Sequence, residues 1–196
     1  MKIIAVLLAY LIGSIPTGFI IFYLSEKKDI RNYGSQATGA TNVLRLKGWK
    51  YGLTVLAVDW FKGFLPVLIV LKIFNDLSFA AVCAFLVVVG HCFPLYIKFK
   101  GGKGVATTVG IFSILALKPL IVSLVLFLII VLCTRYVSLG SLLATLSLSV
   151  SAYIFKTEYE SIVLGAAVFL VIGFRHKGNI KRLIQGKERK IGERIQ

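Results

Sequence analysis

Three lysines and three glycines crowd together where one apolar run ends and another begins. They are Lys98, Lys100, Gly101, Gly102, Lys103 and Gly104, inside residues 90–108, GHCFPLYIKFKGGKGVATT. Glycine lets backbone N–H groups come close to an anion, and lysine adds a compact positive charge. A helix starting near Gly104 would turn its N-terminal N–H groups and dipole toward the same place. Those residue types in that order predict a phosphate site at a membrane surface. The GxxxxGK[ST] spacing of a Walker A loop is absent.

A second stretch repeats the chemistry. GSQATGATNVLR, residues 34–45, runs from small and hydroxyl residues into Thr41, Asn42 and Arg45. It suits an anion nest on a helix, with Thr41 or Asn42 as N-cap and Arg45 within one turn. A third stretch, FRHKGNIKRLIQGKERKIG from Phe174, sets His176 and Asn179 among basic residues, and a helix would put them on one face. Attraction to lipid headgroups accounts for the basic residues there, but not for the His and the Asn. Asp59 and Lys62 in DWFKG stand three apart inside an apolar segment, the spacing of a structural ion pair. His91 reads as a hydrogen-bonding structural residue, and Glu188 as part of the tail, pairing with a nearby base.

Several chemistries lack their residues. No cluster of carboxylates offers a metal site, neither histidine has an Asp five positions on, and no Ser sits in a GxSxG elbow. Cys83, Cys92 and Cys133 lie in or beside apolar segments without CxxC spacing, so they read as inert thiols.

The elements that must carry these stretches are transmembrane. The 196 residues are 58% hydrophobic and 16% charged, with mean hydropathy +0.88, more apolar surface than a soluble domain of this size can hide. The net charge is +15, yet the aromatics fall in the apolar runs rather than among the basic residues. This points to membrane topology and an anionic substrate, with no nucleic acid. Apolar windows predict seven spans near 3–24, 51–73, 77–97, 104–117, 119–133, 137–155 and 159–174, the fourth, fifth and seventh being short. Lys118-Pro119 marks the expected break between the fourth and fifth, and GSIPTG kinks the first, which reads as an uncleaved helix. Of the 23 basic residues, 18 fall in 25–50, 98–103, at Arg135 and in the tail, against 4 on the other side. The expected arrangement is N-terminus out and C-terminus cytoplasmic, in one domain, 1–196. A transporter for an anionic metabolite would need charges along a path through the bilayer, whereas here they gather on one face.

Taken together, GSIPTG, GSQATGATNVLR, DWFKG, GHCFPLYIKFKGGKG, TRYVSLGS and FRHKGNIKRLIQGKE resemble the bacterial acyl-phosphate:glycerol-3-phosphate acyltransferase family. They follow its order along nearly the whole chain. The first loop departs from the family's GSGNxGATN at Gln36 and Ala37. The resemblance implies an all-α, polytopic integral membrane enzyme of about seven transmembrane helices in the cell (inner) membrane, with its active site on the cytoplasmic side. It implies acyl transfer from acyl phosphate to glycerol-3-phosphate, giving lysophosphatidate and phosphate, the first step of phospholipid synthesis. No metal, other cofactor or acyl-carrier protein is implied; the partners are the two substrates and membrane lipid. Carried onto this sequence, Ser35, Arg45, His176 and Asn179 are the residues expected for activity. Phosphate binding is expected from Thr41, Asn42, Lys100, Gly101, Gly102, Lys103, Gly104 and Arg175.

Overall fold

The computed structural model describes residues 1–192; Arg194, counted above with the basic tail, lies outside them. The regular elements are α1 (Lys2–Ser14), α2 (Thr17–Glu26), α3 (Ala40–Lys47), α4 (Trp49–Phe74), α5 (Leu77–Cys92), α6 (Val105–Leu115), α7 (Leu117–Thr134), α8 (Val137–Ile154), α9 (Tyr159–Arg175) and α10 (Lys177–Ile184), with 3-10 turns at Ile30–Asn32 and Leu95–Ile97.

Five segments are long and apolar enough to cross a membrane: Lys2–Glu26, Trp49–Phe74, Leu77–Ile97, Leu117–Thr134 and Val137–Ile154. A sixth qualifies if α9 and α10, bent by 66° at His176, form one broken span, and α6 falls short with 11 residues. The expected boundaries shift in two places. The fifth segment is an 18-residue helix rather than a short one. The break before it lies at Ala116, and Lys118-Pro119 sits within the first turn of α7. Proline fits there because the first turn of a helix has N–H groups without intrahelical partners anyway.

The helix ends follow local chemistry. Pro16 supplies no N–H and pushes Ile15 out of the helical region, so the first span breaks into α1 and α2. The freed Ile15 carbonyl accepts from Lys62 Nζ at 2.9 Å. Asn75 takes the left-handed conformation after α4, and Asp76 then caps α5 by accepting from Phe79 N at 2.9 Å.

In packing order, α1 lies on α5, α5 on α4 and α9, α4 on α6, α9 on α8, and α8 on α7. Small residues allow the closest approaches. A Cβ at Gly63 would stand 2.1 Å from the Thr107 carbonyl, and one at Gly110 2.0 Å from that of Trp60, so α4 and α6 touch backbone to backbone. The core between α5, α6, α8 and α9 is built on Val88, Ile111, Phe112, Leu164, Val168 and Ile172. Many other apolar side chains face outward, including Ile121, Leu128 and Leu132 on α7. That is the surface expected where the solvent is lipid. Since α7 packs mainly on α8, a cleft remains between the α4/α6 pair and the α7/α8 pair.

Candidate functional site

That cleft opens into a cavity of about 700 Å³ with two kinds of lining. Along the helices it is apolar, with Leu53, Leu56 and Trp60 from α4, Val109 from α6, and Leu124 and Phe127 from α7. At one end it is polar, lined by Ser35, Thr41, Asn42, Arg45, Lys103, His176, Asn179 and Glu188. Three helices, α3, α6 and α8, begin in this wall, at Gly39–Ala40, Gly104–Val105 and Val137–Ser138. Helix N-termini carry uncompensated N–H groups and the positive end of the helix dipole, so the polar end favours an anion before any side chain is counted.

The first loop is held by Asn42, which is almost fully buried. Its Oδ1 accepts from Ser35 N at 2.9 Å, and its Nδ2 donates to the carbonyls of Ala37 (2.9 Å) and Tyr33 (3.2 Å). Asn42 thus staples the turn that presents Ser35 to the cavity. The N-cap of α3 is Gly39 rather than Thr41 or Asn42, which stand second and third in the helix. Gln36 adopts φ 60°, a conformation that favours glycine, at the position where the family pattern has glycine. Arg45, one turn into α3, donates to the Arg189 carbonyl at 3.3 Å.

The glycine loop meets the tail through Lys103. Gly104, at φ 88°, caps α6, as the sequence predicted for a helix starting there. Lys103 Nζ donates to Asn179 Oδ1 at 2.6 Å. Asn179 Nδ2 donates to Glu188 Oε1 at 2.6 Å, and that oxygen also accepts from Ser138 Oγ at 3.0 Å. Arg182 Nε donates to Glu188 Oε2 at 2.8 Å. Burial holds the Lys103 ammonium well below its ordinary pKa, at about 8; Glu188 opposes the shift, while Arg182, Arg45 and Arg175 add to it. His176 sits at the bend between α9 and α10, 1% exposed. Its Nδ1 lies 2.8 Å from the Ile172 carbonyl, which only accepts, so Nδ1 carries the proton and Nε2 the lone pair.

The expected site residues therefore divide. Ser35, Thr41, Asn42, Arg45, Lys103, Gly104, His176 and Asn179 border one cavity; Lys100, Gly101, Gly102 and Arg175 do not. Arg175 turns instead to the back of the loop, donating Nε to the Gly102 carbonyl (3.0 Å) and Nη2 to that of Gly101 (2.8 Å). Its guanidinium also lies 5.3 Å from the centre of the Phe93 ring. These contacts bind loop carbonyls rather than an incoming anion, because α9 ends before the bend and Arg175 leaves it on the loop side.

Sequence reasoning placed Glu188 in the tail with a basic partner; Arg182 is that partner, but Glu188 also borders the cavity. Ser138 and Ser141 in the first turn of α8 were missed as site residues. Hydroxyls three apart at a helix start beside Tyr136 were the available signal. Among the described residues no three His, Cys, Asp or Glu side chains group as a metal site.

The chain is similar to known proteins over nearly its whole length. The profile described as glycerol-3-phosphate acyltransferase matches residues 3–186. A glycerol-3-phosphate acyltransferase of Endomicrobium trichonymphae is 42% identical, covering 97% of this chain and 96% of its own. One from Finegoldia magna is also 42% identical, with the same shares. Among solved structures, PlsY (YgiH), an integral membrane glycerol 3-phosphate acyltransferase, superposes in its glycerol 3-phosphate form with a TM-score of 0.93 at 38% identity, covering 97% of this chain and 96% of that one. Its lysophosphatidic acid form superposes with a TM-score of 0.89 at 37% identity, covering 97% and 95%. With its motifs in order and the family profile spanning nearly its whole length, this integral membrane chain belongs to the glycerol-3-phosphate acyltransferase family.

Proposed function

We propose that the chain transfers the acyl group of an acyl phosphate to glycerol-3-phosphate, releasing lysophosphatidate and inorganic phosphate. The observation that carries this reading is the shape of the cavity, cationic and hydrogen-bonding at one end and mostly apolar along the helices. An acyl phosphate has that same polarity, and glycerol-3-phosphate needs only the polar end. Lys103 and Arg45 neutralise the two phosphates there. Ser35, His176 and Asn179 orient the reacting groups.

The chemistry needs little more than positioning, because the acyl phosphate is already activated. The acceptor hydroxyl oxygen attacks the acyl carbon, the bond from that carbon to the bridging phosphate oxygen breaks, and the hydroxyl proton passes to an oxygen of the departing phosphate. His176 acts as an orienting group in this route. Its ring is buried, its Nδ1 proton is committed to Ile172, and Lys103, Arg175 and Lys177 surround it in space or sequence, so a protonated imidazolium is disfavoured.

The site lies on the cytoplasmic side of the inner membrane, in a chain crossing seven times from an outer N-terminus. Two contact sets support this. The four basic stretches meet at one end of the bundle, through Arg31 with the Ile97 carbonyl (2.8 Å), Lys103 with Asn179, Arg45 with Arg189, and Arg135 Nη2 with the Ile191 carbonyl (3.0 Å). At the other end Lys2 pairs with Asp76 at 2.8 Å, Ser78 with Glu160 at 2.6 Å, and Ser161 reaches the Leu115 carbonyl at 3.4 Å. Seven segments, the short α6 among them, then run from one end to the other. Purified protein given palmitoyl phosphate and glycerol-3-phosphate should form lysophosphatidate and phosphate in equal amounts. Phosphate release without lysophosphatidate would refute the reading.

A further inference from the structure

Gly101 and Gly102 do not face the cavity, yet neither position has room for a side chain. A Cβ at Gly102 would stand 2.1 Å from Nε2 of His91, and one at Gly101 would stand 2.3 Å from both the His91 carbonyl oxygen and Pro94 Cδ. The His91 carbonyl also accepts from Gly102 N at 3.1 Å. The loop that ends in Lys103 is therefore pressed between His91 on one side and the Arg175 guanidinium on the other. A side chain at either position would meet the His91 imidazole or carbonyl, or Pro94.

The imidazole is itself backed by charge. Asp59 and Lys62 on α4 form the expected ion pair, Oδ1 to Nζ 2.9 Å, with side chains 2% and 6% exposed. The directed hydrogen bond of that ammonium goes to the Ile15 carbonyl at the break between α1 and α2. Asp59 Oδ1 and His91 Nδ1 face each other at 3.7 Å; Asp59 Oδ1 has the Lys62 ammonium beside it, whereas His91 Nδ1 has no hydrogen-bond partner. A buried ring nitrogen is rarely left so, and a small shift would bond it to Asp59. Two further buried atoms without partners, Ser14 Oγ and Thr17 Oγ1, flank the break that Lys62 caps, and a third, Thr107 Oγ1, lies on α6 where α4 approaches it at Gly63. Asp59 and His91 also border the cavity.

We propose that His91 is a positioning residue for the glycine loop, held against Gly102 by the buried Asp59–Lys62 pair. When an anion draws Lys103 toward the cavity, His91 Nδ1–H closes onto Asp59 Oδ1. The ring then fixes the Gly101–Gly102 backbone, and with it the place of the Lys103 ammonium. Asp59 acts through His91, and Lys62 acts by pairing with Asp59 and tying it to the helix break. This rests on reading the cavity as the site of glycerol-3-phosphate and acyl phosphate.

A double-mutant cycle tests it in the full-length detergent-solubilised protein, with KM and kcat measured for each substrate and thermal unfolding as a control. Gly102→Ala should raise KM for glycerol-3-phosphate on the order of tenfold through overpacking against the ring. His91→Ala should raise the same KM more than that for the acyl phosphate, because the donor keeps its apolar contacts. In the double variant the added methyl group should cost almost nothing, since the space it needs has been vacated. Strict additivity would overturn the proposal, for it would mean that the ligand, not His91, requires glycine at position 102.

A second pair of variants addresses Asp59 without stranding a buried charge. Asp59→Asn with Lys62→Met keeps an oxygen to accept from His91, whereas Asp59→Leu with Lys62→Met does not. The first should hold KM for glycerol-3-phosphate nearer the wild-type value than the second. Equal values in two equally stable proteins would overturn the role of Asp59. A wild-type chain that transfers no acyl group would overturn the functional reading, and this inference with it. Activity with strict additivity overturns this inference alone.

Discussion

Lys103 gives the sharpest dependence on pH. Burial lowers its pKa to about 8, so its ammonium is charged below that pH and loses its charge as pH rises through it. The phosphate of glycerol-3-phosphate is fully ionised above about pH 7, since such groups have a second pKa near 6. Arginine stays charged across the whole range. Titrating Lys103 therefore removes one charge-assisted contact, about 1.5–3 kcal/mol, or roughly 10- to 150-fold in kcat/KM. The assay is kcat/KM for glycerol-3-phosphate from pH 6.5 to 9.5, with spontaneous hydrolysis of the donor subtracted. This quantity reports the free enzyme's groups, so the fall should centre near pH 8. Lys103→Arg, whatever its absolute rate, should show no such limb. Glu188→Gln removes the carboxylate that opposes the shift, so the limb should move to lower pH. A wild-type profile that stays flat to pH 9.5, or an unchanged limb in Lys103→Arg, would refute the assignment.

Three other outcomes follow from the geometry. His176→Asn and His176→Gln, which keep a hydrogen-bonding group, should retain more kcat than His176→Ala; equal near-total loss in three folded variants would make His176 the general base. Gly110→Val should unfold at lower temperature and lose activity with both substrates, because a side chain there meets the Trp60 carbonyl and costs about 1–3 kcal/mol or more; thermal unfolding in detergent measures it. In a cysteine-free background, Ser35→Cys and Gln185→Cys should label from the cytoplasmic side and Asn75→Cys from outside, and labelling of position 35 from outside would invert the arrangement.

Much of this was legible in residue types. The apolar windows located the helices to within a few residues, because a long apolar run in lipid satisfies its own backbone as a helix. Gly104 announced the start of α6, and the spacing of Asp59 and Lys62 announced their pairing. What residue types could not show is set by tertiary contact. Arg175 and Lys103 look alike in a basic segment, but a helix end directs one behind the loop and the other into the cavity. Asn42 looked like a ligand and is consumed as a staple. Glu188 borders the cavity because the tail folds back under α8, and no local pattern encodes that return. The glycines at 101 and 102 looked like an anion nest, yet their lack of a side chain answers to His91 and Pro94.

The central claim is that both substrates occupy one cavity and react directly, with no acyl group passing through the protein. Initial rates over a grid of palmitoyl phosphate and glycerol-3-phosphate concentrations test this most plainly. Direct transfer predicts intersecting double-reciprocal lines and no burst of phosphate from the donor alone. Parallel lines, with one equivalent of phosphate released per protein before acceptor is added, would show an acyl-enzyme intermediate and contradict the account.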